Sequence, residues 1–231
     1  MNRTLLAASV AAAAIVLTAT SASAADPFVN GSFEDGSMQP SGPSWMSVGY
    51  GADPGTAITG WTETGDGVDW HFNTANPNEP TAQDGQRSVD LNLSGAIEQS
   101  ATTTPGTVYT LSFHYAGHPF CVGSGTANAV VTAGAATTTV TSSGTNTYTL
   151  GTLAFTATAS TTTVKFAGAG SVGGFGCGGV VVDNVSIAQN SATTGAECKD
   201  GGWRNYGTLY RNQGDCVSFV STGGKNPPVG S

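Results

Sequence analysis

Basic side chains are scarce in this chain. Lys and Arg number only 7 against 15 Asp and Glu among 231 residues, and one of the seven, Arg3, lies in a segment that we expect to be removed. A surface this acidic repels phosphate groups, and the sequence shows no basic patch that would release counterions from DNA or RNA. The scarcity therefore argues against nucleic acid as a partner.

Charged residues of both signs make up only 10% of the chain. After residue 24, no stretch repeats apolar residues with the roughly 3.6-residue period of a helix. Gly is abundant at 33 residues, and Thr, Ser, Ala and Val fill most of the remainder. This composition favours strands and tight turns, so the sequence predicts an all-β protein.

Motifs for catalysis are also lacking. The 3 His residues fall in no His-Glu-x-x-His pattern and near no Gly-x-Ser-x-Gly nucleophile turn. A glycoside hydrolase would need two carboxylates across one cleft. Five acidic residues offer them, but no spacing selects a pair: Asp66, Asp69, Asp84, Asp90 and Glu98. We therefore predict that the protein is not an enzyme, and keep a glycoside hydrolase as the lesser alternative.

The first residues carry a clear pattern. A short charged head at residues 1–3 precedes an apolar run at 5–17 that is too short to cross a bilayer, and small residues follow up to Ala24. This is the pattern of a secretory signal peptide, with cleavage expected after Ala24 or, failing that, Ala25. Residues 1–24 are therefore predicted to be removed, and the protein is predicted to be secreted.

All 4 cysteines lie in the predicted exported part, where an even count predicts two disulfides. Three pairings are possible. Cys198 and Cys216 bracket a compact C-terminal segment, which leaves Cys121 and Cys177 for a second bridge between two Gly-rich loops. A zinc site is the competing interpretation, but neither a Cys-x-x-Cys pair nor clustered His supports it.

Short alternating runs recur along the middle of the chain. In residues 87–94, Val89 and Leu91 alternate with Ser88 and Asp90, which predicts a half-buried strand, and residues 107–115 repeat the pattern. Further strands are predicted at 57–62, 67–72, 127–133, 137–141, 148–156, 161–167 and 180–187, and a loop at 37–55. Regular short strands separated by turn residues predict a two-sheet sandwich or barrel.

The chain is predicted to divide into a sandwich domain at 25–188 and three short parts after it. These are a polar linker at 189–197, a small disulfide-closed segment at 198–220 and a disordered tail at 221–231. The parts after the sandwich contain no apolar anchor helix. We therefore expect a protein without an integral membrane segment, released or held non-covalently at the cell wall.

Asp183 follows three valines and is predicted to share a strand face with Val181, Val185 and Ile187. A carboxylate on an apolar face needs a cation or several hydrogen-bond donors. Glu34 ends the first strand, which often neighbours the last strand in a sandwich. Glu34 and Asp183 are therefore candidate ligands of a structural Ca²⁺. The alternative is that Asp183 caps a turn or accepts hydrogen bonds from backbone amides and that Glu34 is solvated.

Several motifs occur in a fixed order: NGSFEDG at 30–36, ITGW at 58–61, GVDW at 67–70, DGQRSVDLN at 84–92, YTLSF at 109–113 and VDNV at 182–185. Together they resemble the bacterial choice-of-anchor C family, which is similar to plant cell-wall proteins of domain of unknown function 642. The resemblance covers about residues 27–188. The chain departs from the family pattern at Ala116-Gly117-His118-Pro119, where the family has Ala-Gly-Asn-Pro.

The resemblance implies a galactose-binding-like jelly-roll β-sandwich, an extracellular or wall-associated location and a role in binding polysaccharide. In similar carbohydrate-binding modules, a Glu in the first acidic turn and an Asp in the last strand hold a structural calcium. Those positions match Glu34 and Asp183.

A sugar site needs a flat apolar ring with polar groups around it. The candidate ligand-binding residues are Asp69, Trp70, His71, Arg87, Asp90, Asn92, Tyr115 and His118. Trp45 and Trp61 are predicted to be core residues, and Trp70 is open between core and site. The sequence thus predicts a carbohydrate-binding module for cell-wall or extracellular polysaccharide. The alternative is a structural cell-surface or matrix assembly protein.

Overall fold

The structure, a computed structural model, describes residues 27–36, 45–49, 57–73, 76–92, 94–123, 125–170 and 179–230. The predicted signal peptide and Cys177 lie outside these residues, so the expected removal of residues 1–24 and the pairing of Cys177 stay predictions. Within the described residues, the predicted all-β character is confirmed.

The described residues form two antiparallel sheets. The strands are β1 (Trp45–Val48), β2 (Thr62–Thr64), β3 (Val68–Phe72), β4 (Arg87–Leu91), β5 (Ala96–Thr102), β6 (Val108–Gly117), β7 (Thr126–Ala133), β8 (Ala136–Ser143), β9 (Thr149–Thr156), β10 (Thr161–Gly168) and β11 (Val180–Gln189). One sheet has the order β1-β3-β4-β11-β6-β9, and the other has the order β2-β5-β10-β7-β8.

Strands β4 to β11 have the connectivity of a jelly roll. In the first sheet β11 lies beside β4, and in the second sheet β10 lies beside β5, so the end of the domain returns to its beginning. Two Greek keys that share two sheets in this way define the jelly-roll fold. The predicted jelly-roll β-sandwich is therefore confirmed by the strand order itself.

Alternation in sequence explains the core between the sheets. Along β6, Leu111 and Phe113 are fully buried, whereas Thr110 and Ser112 on the opposite face are only half-buried. Trp61, predicted to be a core residue, is 2% exposed and stacks on Phe28 with ring centroids 5.5 Å apart. Period-two patterning thus positions both sheets with their apolar faces inward.

Three strands differ from the prediction, and one of them, β2, lies almost wholly after the strand predicted at 57–62. The segment 45–48, predicted as part of a loop, forms the edge strand β1, and β5 was not predicted at all. The inward residues of β5 include Gln99, which is buried. Its side-chain oxygen accepts from the amide of Val29 and its NH₂ group donates to the carbonyl of Val29, each at 2.8 Å. A polar side chain satisfied by the backbone can occupy a core position, and apolar alternation does not detect it.

A β-bulge in β11 corrects the predicted face of Asp183. The pairing with β6 shifts between Asp183 and Ser186, and Asn184 adopts a left-handed backbone with φ +49°. The extra residue reverses the alternation. Val185 and Ile187 therefore point into the core, and of the three predicted neighbours only Val181 shares the opposite face with Asp183.

The helical content is small. The described helices are α1 (Pro119–Val122), a 3₁₀-helix (Gly202–Tyr206) and α2 (Gln213–Ser221). The side chain of Asn212 caps α2 by accepting a hydrogen bond from the amide of Asp215 at 3.0 Å. Within the described residues, no helix has both the length and the apolar character needed to span a membrane.

The C-terminal residues form a second small core closed by a disulfide. Cys198 and Cys216 are bonded, as predicted, with Cα atoms 5.7 Å apart. A closed loop of this size stabilises the folded segment by about 3 kcal/mol in the chain-entropy model. Cys121 is also disulfide-bonded, but the partner predicted for it, Cys177, is not described.

Two expectations for this region differ from the structure. Residues 189–197 are not a free linker, because Ala192 is buried in the small core and its amide bonds the hydroxyl of Tyr210 at 3.0 Å. Residues 221–230 are not disordered, because the amide of Val229 returns to the carboxylate of Asp215 at 3.1 Å. Contacts with residues of the small disulfide-closed segment hold both segments in place, and amino-acid composition alone does not reveal such contacts.

Candidate functional site on the outer sheet face

One face of the six-stranded sheet points away from the core and is called the outer face here. Cross-strand partners share a face, so the register defines its members. The pairs are Trp45 with His71, Ser47 with Asp69, His71 with Ser88, Asp69 with Asp90, Asp90 with Val181, Asp183 with His114 and His114 with Leu150. The polar residues Ser88 and Asp90 of β4 and His114 of β6 therefore lie on this face.

Three polar side chains form a connected group at one end of the outer face, which we call the polar trio. The hydroxyl of Ser47 donates to Asp69 Oδ1 at 2.6 Å, and the amide of Asn92 reaches the same oxygen at 3.5 Å. Ser47 is exposed, and the other two are half-buried. Burial raises the pKa of Asp69, and both hydrogen bonds oppose that change.

Exposed apolar side chains accompany this polar surface. The Trp45 side chain shares the outer face with the polar trio and is 41% exposed, with its ring centroid 6.5 Å from that of His71. Leu150, on the same face, and Phe120, in helix α1, are 58% and 51% exposed. The prediction that Trp45 belongs to the core is therefore wrong. Its strand lies at the edge of the six-stranded sheet, where the side chain is less covered than in the core.

A second polar group lies buried beneath the same face and is called the histidine–carboxylate cluster. It consists of His71, Glu79, Asp90 and His118. Glu79 Oε2 lies 3.3 Å from His71 Nδ1 and 3.8 Å from His118 Nε2, and Asp90 Oδ2 lies 4.0 Å from the latter nitrogen. The His71 and His118 rings meet edge to face with centroids 5.2 Å apart. These four groups approach each other without forming ordinary hydrogen bonds.

Burial determines the charge state of this cluster. It lowers the pKa of His71 to about 3, with a contribution from His118, and lowers the pKa of His118 to about 4. Both imidazoles are therefore neutral at pH 7. Burial and the neighbouring Asp69 carboxylate raise the pKa of Asp90 well above its usual range.

Three of the predicted ligand-binding residues point the other way, into the sandwich. Trp70 is fully buried and its indole N–H bonds the carbonyl of Phe33 at 3.0 Å, which identifies it as a core residue. The Arg87 guanidinium lies 4.4 Å from the centre of the Trp70 ring. Tyr115 packs against the core beside Phe113. A Trp70→Ala variant would therefore report on folding rather than on ligand binding.

Glu34 and Asp183 both hold the segment that leads into β4, and this arrangement is called the carboxylate clamp. Glu34 Oε1 accepts from the amides of Gln86 and Arg87, each at 2.7 Å. Asp183 Oδ2 accepts from the amides of Gln83 and Asp84 at 2.7 and 2.9 Å, and its Oδ1 accepts from Asn184 at 2.6 Å. Burial nevertheless raises the pKa of Asp183 to about 7.

The structure thus brings together five of the eight predicted ligand-binding residues, which are Asp69, His71, Asp90, Asn92 and His118. Sequence reasoning missed Trp45 and Glu79. Trp45 lies in a Gly/Pro/Ser-rich stretch without alternation, and Glu79 lies in a turn between Asn and Pro residues. Neither residue carries a local pattern that would have singled it out.

A model of the DUF642 family, described as a protein family of unknown function, matches residues 26–188. No curated protein sequence matches the chain.

Solved structures include three carbohydrate-binding domains with some similarity. TmCBM61 in complex with β-1,4-galactotriose is 17% identical with a TM-score of 0.43, covering 62% of this chain and 100% of that one. The CBM22-1 xylan-binding domain of Paenibacillus barcinonensis Xyn10C is 14% identical with a TM-score of 0.41, covering 64% and 94%. A family 35 module from Clostridium thermocellum is 15% identical with a TM-score of 0.38, covering 55% and 90%. Similarities this low assign no ligand.

Proposed function

The chain belongs to the DUF642 family through residues 26–188, and from this premise we propose that it is a secreted, non-catalytic carbohydrate-binding protein. Its target is cell-wall or extracellular polysaccharide, and its binding surface is the outer face around Trp45. The observation that carries the proposal is the half-exposed Trp45 ring on the same face as the polar trio.

The chemistry of this surface suits a sugar. A pyranose presents apolar C–H groups on one face and hydroxyls around its edge, so it binds well where a flat aromatic ring adjoins hydrogen-bonding groups. Trp45 supplies the ring, while Ser47, Asp69 and Asn92 supply both donors and acceptors. Leu150 is an exposed apolar side chain on the same face, on the edge strand opposite to that of Trp45.

Burial supports binding over catalysis. Asp90 is 1% exposed and His71 is 2% exposed, so these groups cannot reach a glycosidic bond on a polymer lying over the face. Two catalytic carboxylates must flank the scissile bond. The exposed part of the face therefore offers contacts for holding a chain rather than an acid and base for cleaving it.

Trp45→Ala is expected to weaken retention on the polysaccharide that the wild type binds by at least about tenfold, because an aromatic anchor at the centre of a site contributes about 1.4 kcal/mol or more. The measurement is depletion from solution by a panel of insoluble plant and microbial polysaccharides. Val29→Ala serves as the control, since Val29 is 55% exposed and contacts Gln99 of the other sheet.

Equal retention of the Trp45→Ala protein and the wild type would place the site elsewhere. An absence of wild-type retention on every polymer would reject sugar binding and favour a structural assembly role. Release of reducing sugar from a bound polymer would instead make the protein a hydrolase.

We also propose a structural Ca²⁺ at the carboxylate clamp. The donor chemistry fits, because both residues offer the hard carboxylate oxygens that Ca²⁺ prefers. Backbone amides donate to Glu34 Oε1 and to both oxygens of Asp183, so a cation would bind through Glu34 Oε2 and the remaining lone pairs of the Asp183 carboxylate. The raised pKa of Asp183 means that its ionised form is still undercompensated, and a cation would correct this.

Calcium removal is expected to lower the melting temperature by about 5 °C or more relative to protein with free Ca²⁺ at about 100 times Kd. Adding Ca²⁺ back after chelation should restore the melting temperature, and differential scanning calorimetry measures both steps. Glu34→Gln should abolish the response. A response of equal size in Glu34→Gln would show that calcium binds at another site.

A further inference from the structure

The histidine–carboxylate cluster is not used by the proposed sugar surface. His71 comes from β3 and His118 from the residue that precedes α1, and Glu79 joins them from the segment before β4. His71 is 2% exposed and His118 is 5% exposed, whereas the Glu79 side chain, at 16%, is reached by solvent. Two imidazoles and a carboxylate oxygen thus converge in a nearly closed space, while the rest of the Glu79 side chain reaches solvent.

The distances between these groups fit ligands around an ion better than they fit direct hydrogen bonds. Ordinary hydrogen bonds to nitrogen span about 2.7–3.2 Å, whereas the Glu79 oxygen lies 3.3 Å from His71 Nδ1 and 3.8 Å from His118 Nε2. Ligand atoms held about 2.0–2.2 Å from a tetrahedral ion lie about 3.3–3.6 Å from each other. All three ligand atoms lie within 4.8 Å of one another.

Unsatisfied polar atoms in the cluster point to a missing partner. Among the described residues, neither ring nitrogen of His71 has a hydrogen-bond partner, and neither does Asp90 Oδ1. Buried polar atoms in folded proteins are nearly always paired, with protein, water or an ion. A neutral imidazole offers one unprotonated ring nitrogen, which is the atom that binds a metal.

We propose that His71, Glu79 and His118 bind one transition-metal ion of the zinc type, with a further position left open and Asp90 beside it. Two imidazole nitrogens and one carboxylate favour Zn²⁺ over Ca²⁺ or Mg²⁺, which prefer oxygen ligands alone. Asp90 Oδ2 lies 4.0 Å from His118 Nε2, close enough to bind a metal-held water. Cys121 is near His118 and Asp90, but its disulfide removes it as a ligand.

Metal binding has a structural consequence at α1. His118 Nδ1 accepts hydrogen bonds from the amides of Phe120 and Cys121 at 3.2 and 3.4 Å, so the proton of the neutral ring lies on Nε2. Binding a metal through Nε2 moves that proton to Nδ1 and removes both bonds. These bonds are long, and an N-cap stabilises far less than a set of metal–ligand bonds. Zinc should therefore change the environment of the Phe120 and Cys121 amides.

Direct binding tests the site. The full protein without a polyhistidine tag is stripped with chelator and titrated with Zn²⁺ alone by calorimetry, and bound metal is counted by elemental analysis. We expect one ion per chain. Glu79→Gln keeps the size and shape of the side chain but removes its negative charge. It should weaken zinc binding at least tenfold. His71→Gln should do the same. The matched control is His114→Gln, because His114 lies on the same face but outside the cluster.

Co²⁺ and amide chemical shifts give independent readouts. Cobalt bound by these residues should show the strong visible absorption of a tetrahedral or five-coordinate site, and zinc should shift the amide resonances of Phe120 and Cys121. Wild-type protein that binds no Zn²⁺, or that binds it unchanged in Glu79→Gln, would overturn the proposal. So would a His114→Gln protein that loses zinc as fully as His71→Gln does.

The zinc site and the proposed calcium site are separable in the same apparatus. Glu79→Gln should remove the thermal response to Zn²⁺ and keep the response to Ca²⁺, whereas Glu34→Gln should do the reverse. Polysaccharide retention by Trp45→Ala is a third, independent measurement. Failure of sugar binding therefore leaves the zinc result intact, and the converse also holds.

Discussion

Replacing Asp183 with alanine is expected to lower the free energy of unfolding by about 3–5 kcal/mol, a large part of the roughly 5–15 kcal/mol available to a domain. The carboxylate is fully buried and accepts from three backbone amides, those of Gln83, Asp84 and Asn184. An unsatisfied buried donor costs about 1–3 kcal/mol. Gln83 and Asp84 are exposed residues, so water can bond their amides in the variant. The expected loss of stability is therefore smaller than the summed cost of three unsatisfied donors.

Urea unfolding followed by tryptophan fluorescence measures this loss. The matched control is Asp84→Ala, an exposed aspartate in the same segment, which should change stability by no more than about 0.5 kcal/mol. Chelated samples of each protein separate the loss of hydrogen bonds from any loss of calcium. If Asp183→Ala unfolds at the same urea concentration as Asp84→Ala, the carboxylate clamp does not stabilise the fold.

The fold class follows from composition and alternation, and the reason is physical. Strands such as β4 and β6 must bury one face, so Val89, Leu91, Leu111 and Phe113 recur at every second position. Alternation of apolar residues does not detect a strand whose inward positions include a polar side chain. In β5, the side-chain amide of Gln99 forms two hydrogen bonds with the backbone of Val29, so this polar residue can lie in the core.

The candidate site could be predicted only in part, because it depends on contacts between distant residues. Asp69 and Asp90 are visible as polar positions in alternating strands, and the pairing of β3 with β4 places them together. The meeting of His71 with His118 and Glu79 depends on how the turns fold over the outer face. Sequence spacing offers no such information, which is why the histidines give no metal motif.

The bulge at Asn184 is the clearest case of local geometry overriding a pattern. Simple alternation places Asp183 with Val185 and Ile187, yet a single left-handed residue separates them. Asn tolerates that conformation better than most residues. The bulge frees Asp183 to reach the amides before β4 while Val185 enters the core. One inserted residue therefore links core packing to the carboxylate clamp.

Gly31→Ala is expected to lower the free energy of unfolding by about 3 kcal/mol or more. This is more than an added methyl group usually costs, because the new methyl group would clash with backbone atoms rather than with a side chain that can move. A Cβ at Gly31 would lie 2.0 Å from the carbonyl oxygen of Val185, the residue after the bulge. The amide of Val185 also bonds the carbonyl of Gly31 at 2.8 Å, so neither strand can move away without losing that bond.

Gly195→Ala is the matched control, since a Cβ there would meet nothing within 4 Å. It should be neutral or slightly stabilising, because alanine restricts the unfolded chain. The two variants are compared by calorimetry and urea unfolding, with and without Ca²⁺. Displacing the segment at Gly31 also displaces Glu34 three residues later, so Gly31→Ala should reduce the thermal response to Ca²⁺. A Gly31→Ala protein as stable as Gly195→Ala would show that the first segment does not pack against the bulge.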